Sequence, residues 1–341
     1  MAACTRRSVL AGTAATLALG TAAGAADAPK FRRSAIDVHH HFLPPFYKPL
    51  AKGWLDKFAT GVAAVMAWTP ETSLSAMDEA RVSRAVLSIS SPGVHFGNDG
   101  EARDLARECN AYAASLGTRH PGRFAFFGAL PMPDVEGAIR EAEHSLALDG
   151  ARGVGLLSNY GGRYLGEATF RPLFEWLNRR GAVVYVHPTD APCCAGLVPE
   201  VATPLIEFPV DTARTIASLL WSGTLSAFPN LRFIFSHGGG AMPMVMERVV
   251  AMGFVDRSLM ARVPEGAVAA LARLYVDTAS VTGASAMAAL TRWLPEGHIL
   301  YGTDFPWGGV ASSRAALARL GLPPERLAAI ESGNALALLG A

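Results

Sequence analysis

The chain has 341 residues, of which 50% are hydrophobic and 17% charged, which excludes a disordered polypeptide and supplies ample apolar surface for a large core. Lys and Arg total 30 against 29 acidic residues, a net charge of +1 with no basic block, so the chain carries no electrostatic footprint for nucleic acid. Small-molecule chemistry is the better expectation. The 4 cysteines are too few for a disulfide scaffold. Adjacent Cys193 and Cys194 lack zinc-knuckle spacing, and neighbours in sequence rarely reach an unstrained bridge, so they are read as ordinary thiols.

Residues 1–28 read as an export signal. Thr5-Arg6-Arg7-Ser8-Val9-Leu10 precedes an uncharged Ala/Gly/Thr/Leu stretch that runs to Ala26, with small-x-small cleavage sites at Ala23-Gly24-Ala25 and Ala26-Asp27-Ala28. Paired arginines before a weakly apolar stretch suit a twin-arginine address, read by a receptor. The expected location is the periplasm or beyond after cleavage, and the cytoplasm if the signal is unused. No other segment reaches the roughly 18 uncharged apolar residues of a membrane span, so no stable membrane insertion of the mature protein is expected.

Residues 34–341 repeat one grammar: a short apolar or β-branched run, a loop marked by Gly, Pro or Asp, then a helical stretch. Strands are predicted at Ala35–His41, Arg84–Ile89, Phe124–Leu130, Gly153–Leu157, Val183–His187, Arg232–His237, Leu274–Asp277 and Ile299–Asp304. Helices are predicted at Glu101–Leu116, Asp134–Leu148, Phe170–Arg179, Thr212–Trp221 and Met242–Ala251, with Asp134 and Thr169 as caps. Eight strands alternating with helices predict an α/β fold, a (β/α)8 TIM-like barrel. No GxGxxG follows the first strand, which removes the main argument for a dinucleotide fold. Pro44–Pro70 is too long for an ordinary βα loop and is expected to form an insertion covering the barrel mouth.

Barrel chemistry belongs at the C-terminal strand ends, and the polar residues fall there. The first strand ends in Asp37-Val38-His39-His40-His41; alternation puts His39 and His41 on one face and turns His40 away, toward a packing role. The fifth ends in His187, the sixth in His237 and the eighth in Asp304. Imidazoles and a carboxylate converging on one rim point to a divalent metal ion, Zn2+ first, with Mn2+, Fe2+ or Co2+ also suited to these donors. Substrate contacts are expected from His95, from Arg163, whose fork suits a carboxylate, and from Trp68 and Trp307, which with Phe42 and Phe305 offer an apolar wall. Asn159 and Tyr160 lie on the same side; His120, His144 and His298 receive no role.

At Ile36-Asp37-Val38-His39-His40-His41-Phe42-Leu43-Pro44, Val186-His187-Pro188, Ser236-His237-Gly238-Gly239-Gly240 and Tyr301-Gly302-Thr303-Asp304-Phe305-Pro306, the chain resembles the amidohydrolase superfamily. The likeness runs from Ala35 to Leu339 and is nearest the branch of 2-amino-3-carboxymuconate-semialdehyde decarboxylase and related aromatic-acid decarboxylases; the triple histidine also resembles 6-methylsalicylate decarboxylases. Some resorcylate decarboxylases of the branch have Glu-x-His where this chain has His39-His40-His41. The resemblance implies that His39, His41, His187 and Asp304 hold the metal, that His237 and Asp304 are catalytic, and that His237 activates water on the metal. The fourth strand has no lysine for a carbamylated bridge, so one metal ion is expected. The implied function is non-oxidative decarboxylation of a small aromatic or unsaturated carboxylic acid. Hydrolysis of a small lactone or amide is the alternative, since the same groups serve both, and an exported binding protein is a third reading. The expected partner is a small-molecule carboxylate, and a homodimer is open.

Overall fold

The computed structural model describes residue 31 and residues 34–340, apart from 57–60 and 195. The export-signal expectation for residues 1–28 lies outside the described residues.

The eight main strands are β1 (Ala35–His41), β2 (Val82–Ser88), β3 (Phe124–Ala129), β4 (Ala151–Leu157), β5 (Val183–His187), β6 (Arg232–Phe235), β7 (Tyr275–Asp277) and β8 (Ile299–Leu300). They lie side by side in chain order, every pairing parallel. The ends of the sheet meet: Val38 N–H donates to Tyr301 O at 3.0 Å and His41 N–H to Phe305 O at 2.7 Å. The sheet thus closes into the expected barrel.

Closure explains the sequence pattern. With helices outside and side chains inside, both faces of each strand are buried, so β5 reads as the unbroken run Val183-Val184-Tyr185-Val186-His187. Val38, Val86, Phe127, Tyr185, Ile234 and Leu300 fill the interior. Each such buried side chain contributes roughly 1.5–3 kcal/mol. On β5, Val183 and Tyr185 belong to this interior row, and period-two alternation carries His187 onto its top step.

Two predicted strands end early. β6 stops at Phe235 and β8 at Leu300, and beyond those ends His237 and Asp304 adopt left-handed backbone, φ 53° and 62°. Such a residue breaks an extended ladder and re-aims its side chain. β1 is irregular as well: between Asp37 and His40 its register slips against β2, so three steps on β1 face two on β2.

The Asp134 cap is present, its carboxylate accepting Gly137 N–H at 3.0 Å. Thr169 is not a cap; Ala168–Phe170 form a single 3-10 turn before the helix Arg171–Arg179. The helix expected from Thr212 starts at Thr203 and passes through Pro209, whose carbonyl instead accepts Ala241 N–H at 2.8 Å. Cys193 and Cys194 form a disulfide, against expectation: they sit in a tight turn at 192–194 that brings both sulfurs together. Among the described residues, no helix is long and apolar enough to cross a membrane.

The insertion after β1 carries two short helices, Lys48–Leu55 and Val62–Met66. Tyr47 donates its hydroxyl to Gly93 O at 2.8 Å, and Trp54 donates its indole N–H to Asp190 at 2.9 Å. These bonds reach the loops after β2 and β5, so the segment lies over the barrel mouth.

Candidate metal centre

His39 and His41 rise from β1, His187 from β5, His237 from the turn after β6, and Asp304 from the loop after β8. The slip in β1 does not separate the first pair: His39 Nε2 and His41 Nε2 stand 3.0 Å apart. Asp304 Oδ1 lies 3.1 Å from His39 Nε2 and 3.0 Å from His41 Nε2, and Asp304 Oδ2 lies 3.8 Å from His237 Nε2. The ligand atoms of His39, His187, His237 and Asp304 all fall within 4.8 Å of one another. Donors about 2 Å from one ion stand roughly 3–3.5 Å from each other, so the spacing suits a single cation.

Hydrogen bonds behind the rings decide which nitrogen faces inward. His187 Nδ1–H donates to Pro188 O at 2.8 Å, and His237 Nδ1–H to Ala279 O at 3.3 Å. His41 Nδ1 meets Ser88 O and Oγ at 3.3 and 3.0 Å, and His39 Nδ1 meets Asp277 Oδ2 at 2.9 Å. A carbonyl can only accept, so in His41, His187 and His237 the proton sits on Nδ1 and leaves Nε2 with a lone pair toward the centre. His187 Nε2 is buried and has no hydrogen-bond partner. A buried orphan nitrogen is costly unless something binds it, and a metal ion is what this donor set fits.

The charge balance agrees. Burial pushes His41 and His237 below their ordinary value and His187 well below it, so these rings are neutral and able to ligate. Burial would depress His39 too, but the Asp277 and Asp304 carboxylates outweigh it and raise its value to about 10. Burial would raise Asp304, yet His39, His41 and His237 hold its carboxyl well below the usual range. Two carboxylates around one ring call for a positive charge between them, supplied by a proton or by a metal ion. A metal site of histidines and an aspartate is therefore present.

The family model described as amidohydrolase matches residues 36–341. The chain belongs to the amidohydrolase family. Among its relatives, decarboxylase yanB of Aspergillus niger is 38% identical over 81% of this chain and 78% of its own length. The 6-methylsalicylic acid decarboxylase of Penicillium expansum is 32% identical over 89% of this chain and 95% of its own. A solved amidohydrolase II superimposes with a TM-score of 0.82 at 28% identity, covering 90% of this chain and all (100%) of that one. This amidohydrolase is an enzyme of the decarboxylase-bearing part of the family.

The amidohydrolase does not bring every expected substrate contact to the metal. Trp68 is 2% exposed and donates to Ser73 Oγ at 2.9 Å, buried in loop packing, while Phe42 stacks on Tyr112 and lines the crevice beside His41. Arg163 points to Glu167 at 3.2 Å on an exposed turn and lies over the Phe170 ring, so it offers no fork to the centre. Trp307 shares a narrow crevice with His41. His95 pairs with Asp99 at 2.8 Å and lines a separate cavity over the mouth, together with Asn159 and Tyr160. His40 turns away from the centre, held by Asp37 and Ser73 at 2.9 Å each and stacked on Phe305.

Sequence reasoning missed the residues that hold the ligands. Asp277 accepts the His39 ring proton and also the backbone N–H groups of His237 and Ala279 at 3.1 and 2.9 Å. Asp37 accepts from His39 N–H and Thr303 N–H at 3.1 Å each and from Thr303 Oγ at 2.6 Å, locking β1 to the segment bearing Asp304. Gly302 lets these pieces meet: a Cβ there would stand 2.8 Å from the Cβ atoms of both His39 and Asp277. The available signal for Asp277 was its place at the end of a predicted strand.

Proposed function

We propose that the protein is a metal-dependent, non-oxidative decarboxylase of a small aromatic or unsaturated carboxylic acid, with a hydroxybenzoate of the 6-methylsalicylate kind as the first candidate. The observation that carries the reading is the ring of inward-facing Nε2 atoms around Asp304, beside an apolar cavity, in a chain 32% identical to a 6-methylsalicylic acid decarboxylase. The cation, Zn2+ as first choice, supplies a Lewis acid for the substrate oxygens and lowers the pKa of water when bound.

The chain's own residues supply the rest. His237 is neutral, its Nδ1 proton committed to Ala279 O, so its Nε2 can take a proton and return it. Asp304 Oδ2, 3.8 Å away, stabilises the imidazolium that forms. In the reaction, a proton goes to the ring carbon that bears the carboxylate. The C–C bond then breaks, its electron pair restores the aromatic ring, and CO2 leaves. The insertion helices over the mouth keep bulk water from the proton in transit.

The test is CO2 release from hydroxybenzoates and muconate semialdehydes, run beside lactones and amides. CO2 is expected from an aromatic acid, with deuterium from heavy water entering the vacated ring position. Cleavage of a lactone or amide with no CO2 from any acid would replace this reading with the hydrolase one.

A further inference from the structure

A cavity of about 330 Å³ opens over the ends of β2, β3, β4 and β5, at the low end of the roughly 300–1,000 Å³ usual for small-ligand sites. Its origin lies in two small residues. Ala129, Gly155 and Tyr185 are cross-strand partners on β3, β4 and β5, and form one layer of the barrel interior. Tyr185 fills its share; Ala129 and Gly155 do not. A Cβ added to Gly155 would point at Phe127, 3.7 Å from its Cβ, so the glycine faces inward over the Phe127 ring that floors the cavity.

The next layer up sets this space beside the chemistry. Leu157, which lines the cavity, is the cross-strand partner of His187. Phe127 stacks on Tyr185 at 4.9 Å, and Tyr185 meets His39 edge-on at 5.6 Å. The walls are mainly apolar; of the polar residues among them, His95 is paired with Asp99 and Asn159 donates to Asp211, and no Lys or Arg is among the described lining residues. A hydrocarbon group is matched here, whereas a carboxylate finds no guanidinium or ammonium.

We infer that this cavity receives the ring of the substrate and a hydrocarbon substituent on it, and that Gly155 and Ala129 set the size of substituent admitted. The inference rests on the decarboxylase reading for its substrate class, with the carboxylate turned toward His187 and Asp304.

The test uses the metal-loaded enzyme with 2-hydroxybenzoate and its 6-methyl and 6-propyl derivatives, measuring binding by calorimetry and turnover by CO2 release. Gly155→Val should weaken binding of the 6-propyl compound about tenfold or more while changing 2-hydroxybenzoate less than about threefold, since a pocket discriminates methylenes by roughly 10–200-fold. Gly155→Ala, whose methyl meets only ordinary contacts, should give an intermediate loss, and Ala129→Val a loss of the same kind. These two variants keep the test alive if Gly155→Val does not fold. Equal weakening across the series, no change in any folded variant, or no binding of the series by the unaltered enzyme overturns the assignment. Binding that depends on substituent size without any CO2 release would sink the decarboxylase reading and leave the pocket standing.

Discussion

The mouth of the barrel has two halves built on opposite principles. On the side of β1, β5, β6 and β8, ring nitrogens and carboxylate oxygens are fixed by partners: His39 by Asp277, His41 by Ser88, His187 by Pro188 O and His237 by Ala279 O. Over β2 to β4 there is a cavity made by small residues and lined by aliphatic ones. The difference separates chemistry from selection. Ligand geometry tolerates little error, so each ligand is held by a second group, whereas a hydrocarbon pocket needs only the right volume.

The largest break in the polar half comes from removing a ligand. Asp304→Ala or His187→Ala should lower metal affinity by more than the roughly 10–100-fold typical of an outer partner and abolish turnover. Metal-to-protein ratios after gel filtration check it; full metal content in either variant would count against the centre as described. Next in size is His237→Ala, expected to lose about two to four powers of ten in turnover while keeping its metal. The ligand atoms of His237, His39, His187 and Asp304 all lie within 4.8 Å of one another, so this variant also sharpens the role of His237. If the metal leaves with the ring, His237 is a ligand.

Asp277→Asn probes the holder. The amide can face His39 Nδ1 only by reorienting, and it carries no charge, so metal affinity should fall about 10–100-fold with the fold intact. An unchanged affinity would mean that the carboxylate merely fills space between β7 and β1.

How far the sequence announces these halves follows from the physics of each. His187 and His237 follow buried apolar runs, and a ring at the end of such a run is exposed by contrast. Asp277 and Asp37 end or open similar runs, but their work is a hydrogen bond to a residue distant in the chain, 238 positions away for Asp277 and His39 and 266 for Asp37 and Thr303. Periodicity carries no trace of that. The cavity was still less legible, since Gly155 and Ala129 act through the space that their small size leaves open. Two local readings failed where the backbone departs from the extended pattern: the segments that lead to the left-handed His237 and Asp304 leave their strands early, and the turn at 192–194 joins Cys193 to Cys194.

The smallest expected effect is on stability against pH, and it has opposite signs within the polar half. His41, His187 and His237 have folded-state values below 6.5, so the unfolded chain binds their protons more readily. Their neutral burial is uncontested above pH 6.5 and costs stability as pH falls below it. His39 runs the other way, its value raised to about 10. It stabilises fully below pH 6.5, and that contribution drains away as pH rises through 10. Protein stripped of metal by a chelator should therefore melt at its highest temperature near pH 6.5 and lose a few degrees on either side. With metal bound, the cation replaces the proton between Asp277 and Asp304, so the alkaline loss should vanish while the acid loss steepens as protons compete for the ligands. Melting curves of both forms between pH 5 and 10 check this. A stripped protein that goes on gaining stability above pH 7 would show that no proton sits on His39, and Asp277→Asn, which removes one of the two carboxylates, should flatten the alkaline limb of the stripped protein.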